Sequence, residues 1–198
     1  MIELKYACIG VRCSVCGKSI IEHINSFQLA SGVNIICRDC GAPVFSIRKS
    51  VSNNLMLNCF ACGKMHTYTL SKNSFFSGKP ISFCCMENEI DVFFAGLHDE
   101  VDDALFRLSE HIKTLTDKYY ENFEKKYGSH ASAALRILEE KAMEKRIFCL
   151  CGNYELNIKI IENAIQLICP NCGSSVTIPI TNDKDITLLM ERRSIFIK

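Results

Sequence analysis

The sequence predicts an α+β protein in which repeated β-hairpin units are interrupted by an antiparallel helical hairpin. Three observations support this fold class. Short apolar segments separated by polar or Gly-containing turns fill about the first 95 residues, as is typical of β-strands. A helical pattern of apolar residues then begins at Asp99, and strand-like segments return after Ile147. Finally, the chain holds 13 cysteines in 198 residues, and most of them occur in close pairs.

Composition and charge exclude several classes of protein. The 23 basic and 22 acidic residues give a net charge of +1, which excludes strongly basic nucleic-acid-binding proteins and strongly acidic tails. No segment approaches the ~20 apolar residues of a membrane-spanning helix. The N-terminal residues also lack the pattern of a secretory signal, so we expect a soluble, cytoplasmic protein. Disulfides do not persist in that reducing compartment, which favours metal binding by the cysteines.

Strands are predicted on both sides of the cysteine pairs in the first half of the chain. Apolar and β-branched residues fill these segments, and turns such as Ser77-Gly78-Lys79-Pro80 separate them. The predicted strands are Ile2–Ala7, Ser26–Leu29, Val33–Cys37, Val44–Arg48, Asn54–Asn58, His66–Leu70, Ile81–Cys85 and Ile90–Ala95.

A helical hairpin is predicted in the middle of the chain. Apolar residues from Val101 to Tyr119 recur at alternating intervals of four and three, the spacing of a helix with one coiled-coil-like stripe. Gly128 is predicted to end this helix, and Ser129 or Ser132 to begin a second one that folds back. The stripe would either pack within the chain or form a dimer seam.

These elements divide the chain into three predicted regions. Residues 1–97 form tandem hairpin units of which the second is degenerate, residues 98–147 form the helical hairpin, and residues 148–198 form a C-terminal unit. Thr181 or Asn182 is predicted to cap a short helix within the last region.

Four cysteine pairs share the pattern C-x-x-C-G, which lets two thiolates face one tetrahedral zinc ion at about 2.3 Å. Twenty residues separate two of these pairs, and they predict a first four-cysteine site, Cys13, Cys16, Cys37 and Cys40. A C-x-C pair lies 17 residues before another C-x-x-C pair, and together they predict a second site, Cys149, Cys151, Cys169 and Cys172.

The middle unit leaves its ligands open. Cys59 and Cys62 form a good pair, and the adjacent Cys84 and Cys85 are the cysteines available to complete it. Neighbouring strand residues point to opposite faces, so both can bind one ion only if the chain turns there. His66 is an alternative ligand. Two zinc ions are therefore expected, and a third depends on whether these thiols are ligands or small buried side chains.

Catalytic motifs are absent from the sequence. It contains no nucleophile elbow, phosphate-binding loop, dinucleotide fingerprint or zinc-protease motif. Complete sets of four cysteines are typical of structural zinc, because catalytic zinc keeps one position open. Cys8 is interpreted as a core residue, and the histidines other than His66 as surface or packing residues. Catalysis is not the expected role.

The cysteine pairs at Cys13–Cys40 and Cys149–Cys172 resemble the zinc-ribbon superfamily over about 28 and 24 residues. This resemblance implies zinc-bound hairpins. It does not specify a function, because zinc ribbons serve in transcription and translation factors, in nucleic-acid enzymes and as interaction modules. The C-x-C pair, the degenerate middle unit and the helical insertion depart from the family pattern.

The expected function is a cytoplasmic structural-zinc module that binds another protein as an adaptor. One alternative is a regulatory protein that binds nucleic acid through a basic patch near the first site, made of Arg12, Lys18, Arg38, Arg48 and Lys49. A second alternative is a thiol and zinc redox switch that uses Cys84, Cys85 and the middle pair.

Overall fold

The computed structural model describes residues 5–48 and 53–198, which combine α-helices with three antiparallel β-sheets and one parallel pair of strands within this part of the chain. The chain forms two compact units, Met1–Lys113 and Thr114–Lys198. The boundary between them falls inside a long helix, and the predicted division at residues 97 and 147 stays a prediction. None of the helices in the described residues is long and apolar enough to cross a membrane.

The first unit contains eight strands, two short helices and the start of the long helix, within the described residues. These elements are β1 (Tyr6–Arg12), β2 (Ser19–Asn25), α1 (Ser26–Ser31), β3 (Val33–Ile36), β4 (Pro43–Arg48), β5 (Asn53–Asn58), β6 (Met65–Leu70), α2 (Lys72–Phe75), β7 (Ile81–Cys84), β8 (Asp91–Gly96) and α3 (His98–Tyr127). The second unit adds α4 (Ser129–Met143), β9 (Ile147–Cys149), β10 (Asn157–Ile161), β11 (Ala164–Ile168), β12 (Ser175–Pro179), α5 (Asp183–Glu191) and β13 (Ile195–Ile197).

Two antiparallel sheets of the first unit take strands from both halves of an internal repeat. Sheet 1 has the strand order β2-β1-β8-β7, and sheet 2 has the order β3-β4-β5-β6. The first half of the repeat contains β1 to β4, and the second half contains β5 to β8. Each sheet therefore joins one hairpin of the first half with one hairpin of the second half. The two repeats interlock through the β1–β8 and β4–β5 pairings, so they are not separate ribbons.

The alternation of side chains along β1 organises the first unit into layers. Ile9 and Val11 belong to a buried cluster that contains side chains of both sheets. Cys8 points to the opposite face, where it packs in a second cluster with Val101 and Leu105 of α3. Sheet 1 is thus covered by sheet 2 on one face and by the first part of α3 on the other.

The predicted strand Ser26–Leu29 is wrong, because these residues form helix α1. The side chain of Asn25 accepts hydrogen bonds from the backbone N–H groups of Phe27 and Gln28. In return, the Asn25 N–H donates to the Gln28 side-chain oxygen at 3.0 Å. This capping box starts a helix in a segment whose composition suits a strand.

The first predicted strand, Ile2–Ala7, is also misplaced. Residues 2–4 lie outside the described residues, and β1 continues from Tyr6 to Arg12, where it pairs with the unpredicted strand β2. β1 is buried on both faces, so it lacks the polar alternation that reveals a half-exposed strand.

The helical predictions agree with the structure. The long helix α3 begins one residue before Asp99, and Gly128, with φ of 88°, separates it from α4. The two helices fold back on each other, since the Tyr120 hydroxyl of α3 donates a hydrogen bond to Glu139 of α4. Asn182 caps α5 by accepting from the backbone N–H of the third helical residue.

Gly10 in β1 leaves no space for a side chain, because a Cβ there would lie 2.4 Å from Val101 Cγ1 and 2.9 Å from Leu105 Cδ1. We expect Gly10→Ala to lower the free energy of unfolding by about 1–3 kcal/mol, as overpacked cores do. Adding Val101→Ala removes the nearest methyl group and should recover part of the loss. Urea unfolding of both single variants and the double variant measures this coupling, and purely additive losses would contradict the contact.

Candidate metal centres

Cluster I brings together the tips of two hairpins. Cys13 and Cys16 lie in the turn between β1 and β2, and Cys37 and Cys40 lie in the turn between β3 and β4. All four sulfur atoms lie within 4.8 Å of one another. The Cys13–Cys40 and Cys16–Cys37 sulfur distances are 3.6 and 3.5 Å. Tetrahedral zinc–sulfur bonds of 2.3 Å would place sulfurs about 3.8 Å apart, so this cluster is arranged to hold a metal ion.

The turns that carry these ligands share one hydrogen-bond pattern. The Cys13 N–H donates to the Lys18 carbonyl at 2.9 Å, and the Gly17 N–H donates to the Cys13 carbonyl at 3.0 Å. Gly17 has φ of 70°, a conformation that glycine adopts without strain. The same two bonds recur in the turns that begin at Cys37, Cys59, Cys85 and Cys169.

Cluster II combines three cysteines with one histidine. Cys59, Cys62, Cys85 and His66 each place one ligand atom within 4.8 Å of the others. The His66 Nε2 atom is 3.2 Å from the Cys62 sulfur and 3.4 Å from the Cys85 sulfur. Cys84 is exposed and is not a member of this group of described residues. Its neighbour Cys85 is the member, and adjacent residues of an extended chain point to opposite sides.

The fourth turn of the first unit has lost two residues of the pattern while keeping its shape. Asn88 lies three residues after Cys85, as Cys40 lies three residues after Cys37. The Asn88 amide donates to the Ala61 carbonyl at 3.1 Å. Glu89 stands at the glycine position with φ of 57°. These two changes hid the turn from the sequence patterns, although its backbone hydrogen bonds match those of the other turns.

Cluster III lies in the second unit and uses the shorter C-x-C pair. Its sulfur distances are 3.3 Å for Cys149–Cys172 and 3.6 Å for Cys151–Cys169, and all four sulfurs lie within 4.8 Å of one another. The Cys149 N–H donates to the Asn153 carbonyl at 2.9 Å, so this turn is one residue shorter than the others. The missing residue therefore shortens the turn without separating the ligands.

In each cluster, hydrogen bonds favour the thiolate of at least one cysteine. The backbone N–H of Cys40 donates to the sulfur of Cys37 and lowers its pKa to about 7. Burial raises the pKa of Cys85, but backbone N–H groups and a histidine lower it to about 7. Burial also opposes ionisation of Cys169, whereas the Cys172 N–H and other donors bring its pKa to about 6. The thiolate is the form that binds metals, so each cluster contains at least one cysteine that favours the binding form.

A fourth group, which the sequence analysis does not predict, lies in the first unit. Ligand atoms of Cys8, His23 and His98 lie within 4.8 Å of one another. The Cys8 sulfur is 3.7 Å from His98 Nδ1, and the two imidazole rings stack with centroids 5.2 Å apart. Cys8 and His23 are paired across β1 and β2, and the sequence analysis does not predict this pairing.

The basic residues near cluster I are largely engaged in contacts within the chain. Lys18 and Arg38 form ion pairs with carboxylates at 2.6 and 2.8 Å. The Arg12 side chain donates to a backbone carbonyl at 2.8 Å. Arg48 is exposed at the end of β4, and Lys49 lies outside the described residues. The Lys18 and Arg38 side chains remain exposed, and the phosphate-binding patch stays a prediction.

Comparisons of the chain with protein-family models, with curated proteins and with solved structures found no match. The fold and the clusters define a class of protein, a mixed α and β chain with Cys and Cys/His groups arranged for metal binding. The resemblance to zinc ribbons accordingly rests on the cysteine pairs and their turns.

Removal of His66 should release the metal of cluster II. His66→Ala leaves three protein ligands there, so we expect purified protein to carry one metal ion fewer per chain. Cys84→Ser is the matched control, because Cys84 is the neighbouring cysteine outside the group. Elemental analysis measures both variants, and loss of metal from Cys84→Ser but not from His66→Ala would contradict this ligand set.

Replacement of Glu89 should relieve backbone strain. Glu89→Gly is expected to raise the free energy of unfolding by about 1 kcal/mol, because glycine adopts a positive φ more readily. Glu89→Ala removes the same carboxylate but retains a Cβ, so it serves as the control. Chemical denaturation compares the two variants, and equal stability changes would show that the carboxylate, not the backbone, is responsible.

Proposed function

We propose that this protein is a structural-zinc module that binds another protein. The observation that carries the proposal is that clusters I, II and III each offer four cysteine or histidine ligands within 4.8 Å. Structural zinc sites use complete tetrahedral sets of this kind. Three zinc ions would hold the hairpin tips in place and thereby support the binding surface.

The ligand chemistry favours zinc over harder cations. Thiolates and imidazoles suit Zn²⁺, whereas Mg²⁺ and Ca²⁺ prefer carboxylate, carbonyl and water oxygens. The closest sulfur pairs, at 3.3–3.6 Å, are also far beyond the ~2.05 Å of a disulfide bond. Cysteine pairs at hairpin turns further support the finer assignment to zinc-ribbon units, in the interlocked arrangement of the first unit.

Complete ligand sets also favour binding over catalysis. A metal that is held by four protein side chains has no coordination position left for a substrate or an activated water. Its contribution is stability, which small hairpin units with little core of their own require. The proposed zinc ions therefore maintain the shape of the protein-binding surface and do not take part in a reaction.

The apolar stripe of α3 supports a protein partner. Val101 and Leu105 at its start are buried, whereas Leu115 and Tyr119 further along are 43 % and 52 % exposed. Exposed apolar residues at helical spacing fit the apolar face of a partner helix. We take that partner to be an amphipathic helix of another protein, and a second copy of this chain is the rival occupant.

Metal analysis tests the structural part of the proposal. We expect three zinc ions per chain to remain bound after gel filtration, and we expect a strong chelator to unfold both units. Structural zinc contributes roughly 10–16 kcal/mol in finger peptides, so its removal should abolish cooperative unfolding by circular dichroism. A zinc content below two per chain, or an unchanged thermal transition after metal removal, would contradict the structural role.

Site-specific crosslinking tests the binding part. A photo-crosslinking residue at position 115 should capture a protein partner in nuclease-treated extract of the native cell, and Tyr119→Lys should weaken that capture. A crosslinker at Asp117, on the opposite side of α3, is the control. Equal capture from both positions, dependence on nucleic acid, or a crosslinked dimer of this chain would each overturn the proposed partner.

A further inference from the structure

We propose that Cys8, His23 and His98 form a fourth metal site, which binds a divalent transition-metal ion and keeps one coordination position exchangeable. The site lies on the face of sheet 1 that packs against α3, and it shares no ligand with cluster I or II. It would take Zn²⁺ or Co²⁺ through one thiolate and two imidazoles.

The distances suit a shared metal ion. The Cys8 sulfur and His98 Nδ1 are 3.7 Å apart, and the three ligand atoms lie within 4.8 Å of one another. Tetrahedral bonds of 2.3 Å to sulfur and about 2.05 Å to nitrogen would separate these two atoms by about 3.6 Å. The ligands therefore need little movement to meet a metal.

Three different elements of the fold hold the ligands. Cys8 of β1 and His23 of β2 are directly paired across the hairpin, and His98 is the first residue of α3. Cys8 is only 2 % exposed and packs among Phe94 and Val101, so its sulfur is fixed. Both histidines are exposed, which gives a metal ion access from solvent.

The charges around the sulfur favour a cation. Asp102, one turn along α3, and Glu22 of β2 both act on Cys8 with negative charge. Glu22 also pairs with Arg38, so Asp102 is the carboxylate without a described ion-pair partner. Burial, and then these two negative charges, raise the pKa of the Cys8 thiol, which argues against a nucleophilic cysteine.

A simple thiol–imidazole hydrogen bond would explain Cys8 and His98 but not the second histidine. His23 brings another imidazole to the same place and stacks on His98 with an angle of 15° between the rings. Two imidazoles and a thiolate form a chelate of the kind found at zinc sites, where a fourth position is taken by water. Three protein ligands also imply weaker and more exchangeable binding than in clusters I to III.

Cobalt binding to the zinc-loaded full-length protein tests this site. We expect one equivalent of added Co²⁺ to bind without releasing zinc and to give the charge-transfer absorption of a cobalt–thiolate bond. His98→Ala and His23→Ala should each weaken this binding by at least about tenfold. His111→Ala, another exposed histidine of α3, is the matched control and should bind like the wild type.

Because both histidines are exposed, these variants should keep the thermal transition of the wild type, which separates loss of the site from loss of the fold. Cys8→Ser should remove the charge-transfer band. Absence of a cobalt signal in the wild type, or an equal signal in His98→Ala, would overturn the fourth site. If three zinc ions remain while cobalt fails to bind, the fourth site fails and the structural-zinc proposal stands.

Discussion

Two ligand clusters of the first unit join one sheet to the other. Cluster I connects the β1–β2 hairpin of sheet 1 with the β3–β4 hairpin of sheet 2, and cluster II connects β5–β6 of sheet 2 with β7–β8 of sheet 1. The hydrophobic core of the first unit also contains four of these ligand residues, namely Cys13, Cys37, Cys59 and Cys85. Metal ions bound at these clusters would therefore stabilise the same structure as the packing of the core, and a change in one would affect the other.

The interlocked repeat explains how a degenerate half can persist. Each sheet takes one hairpin from each half, so the second half is held by strand pairing and by the shared core even where its ligand pattern has changed. His66 completes the group of four candidate ligands, to which the residue at position 88 does not contribute. The Lys64–Glu87 ion pair matches the Lys18–Asp39 pair of the first half, with the same distance of 2.6 Å. The second half thus has the same surroundings at this turn but a different fourth candidate ligand.

The sequence predicts features that depend on local spacing and misses those that depend on register. The cysteine spacings of clusters I and III and the apolar period of α3 are local, and the structure shows the expected groups and helix. The ligand choice between His66 and Cys84 depends on which face of a strand points inward, which spacing does not determine. The Cys8 group requires a strand pairing and a helix start 90 residues further along the chain. The sequence analysis does not predict helix α1, because the capping box of Asn25 and Gln28 starts a helix in a segment whose composition favours a strand.

Close packing of α3 on β1 also determines where the fourth group forms. Gly10 lacks a side chain, and a Cβ there would lie 2.4 Å from Val101 Cγ1, so the missing side chain permits the helix to approach the strand. His98 lies three residues before Val101 on the helix, and Cys8 lies two residues before Gly10 on the strand. The same approach therefore brings imidazole and thiol together at the start of α3. A group that displaces the helix from Gly10 would separate these ligands before it disturbed clusters I and II, whose ligands lie at the hairpin tips.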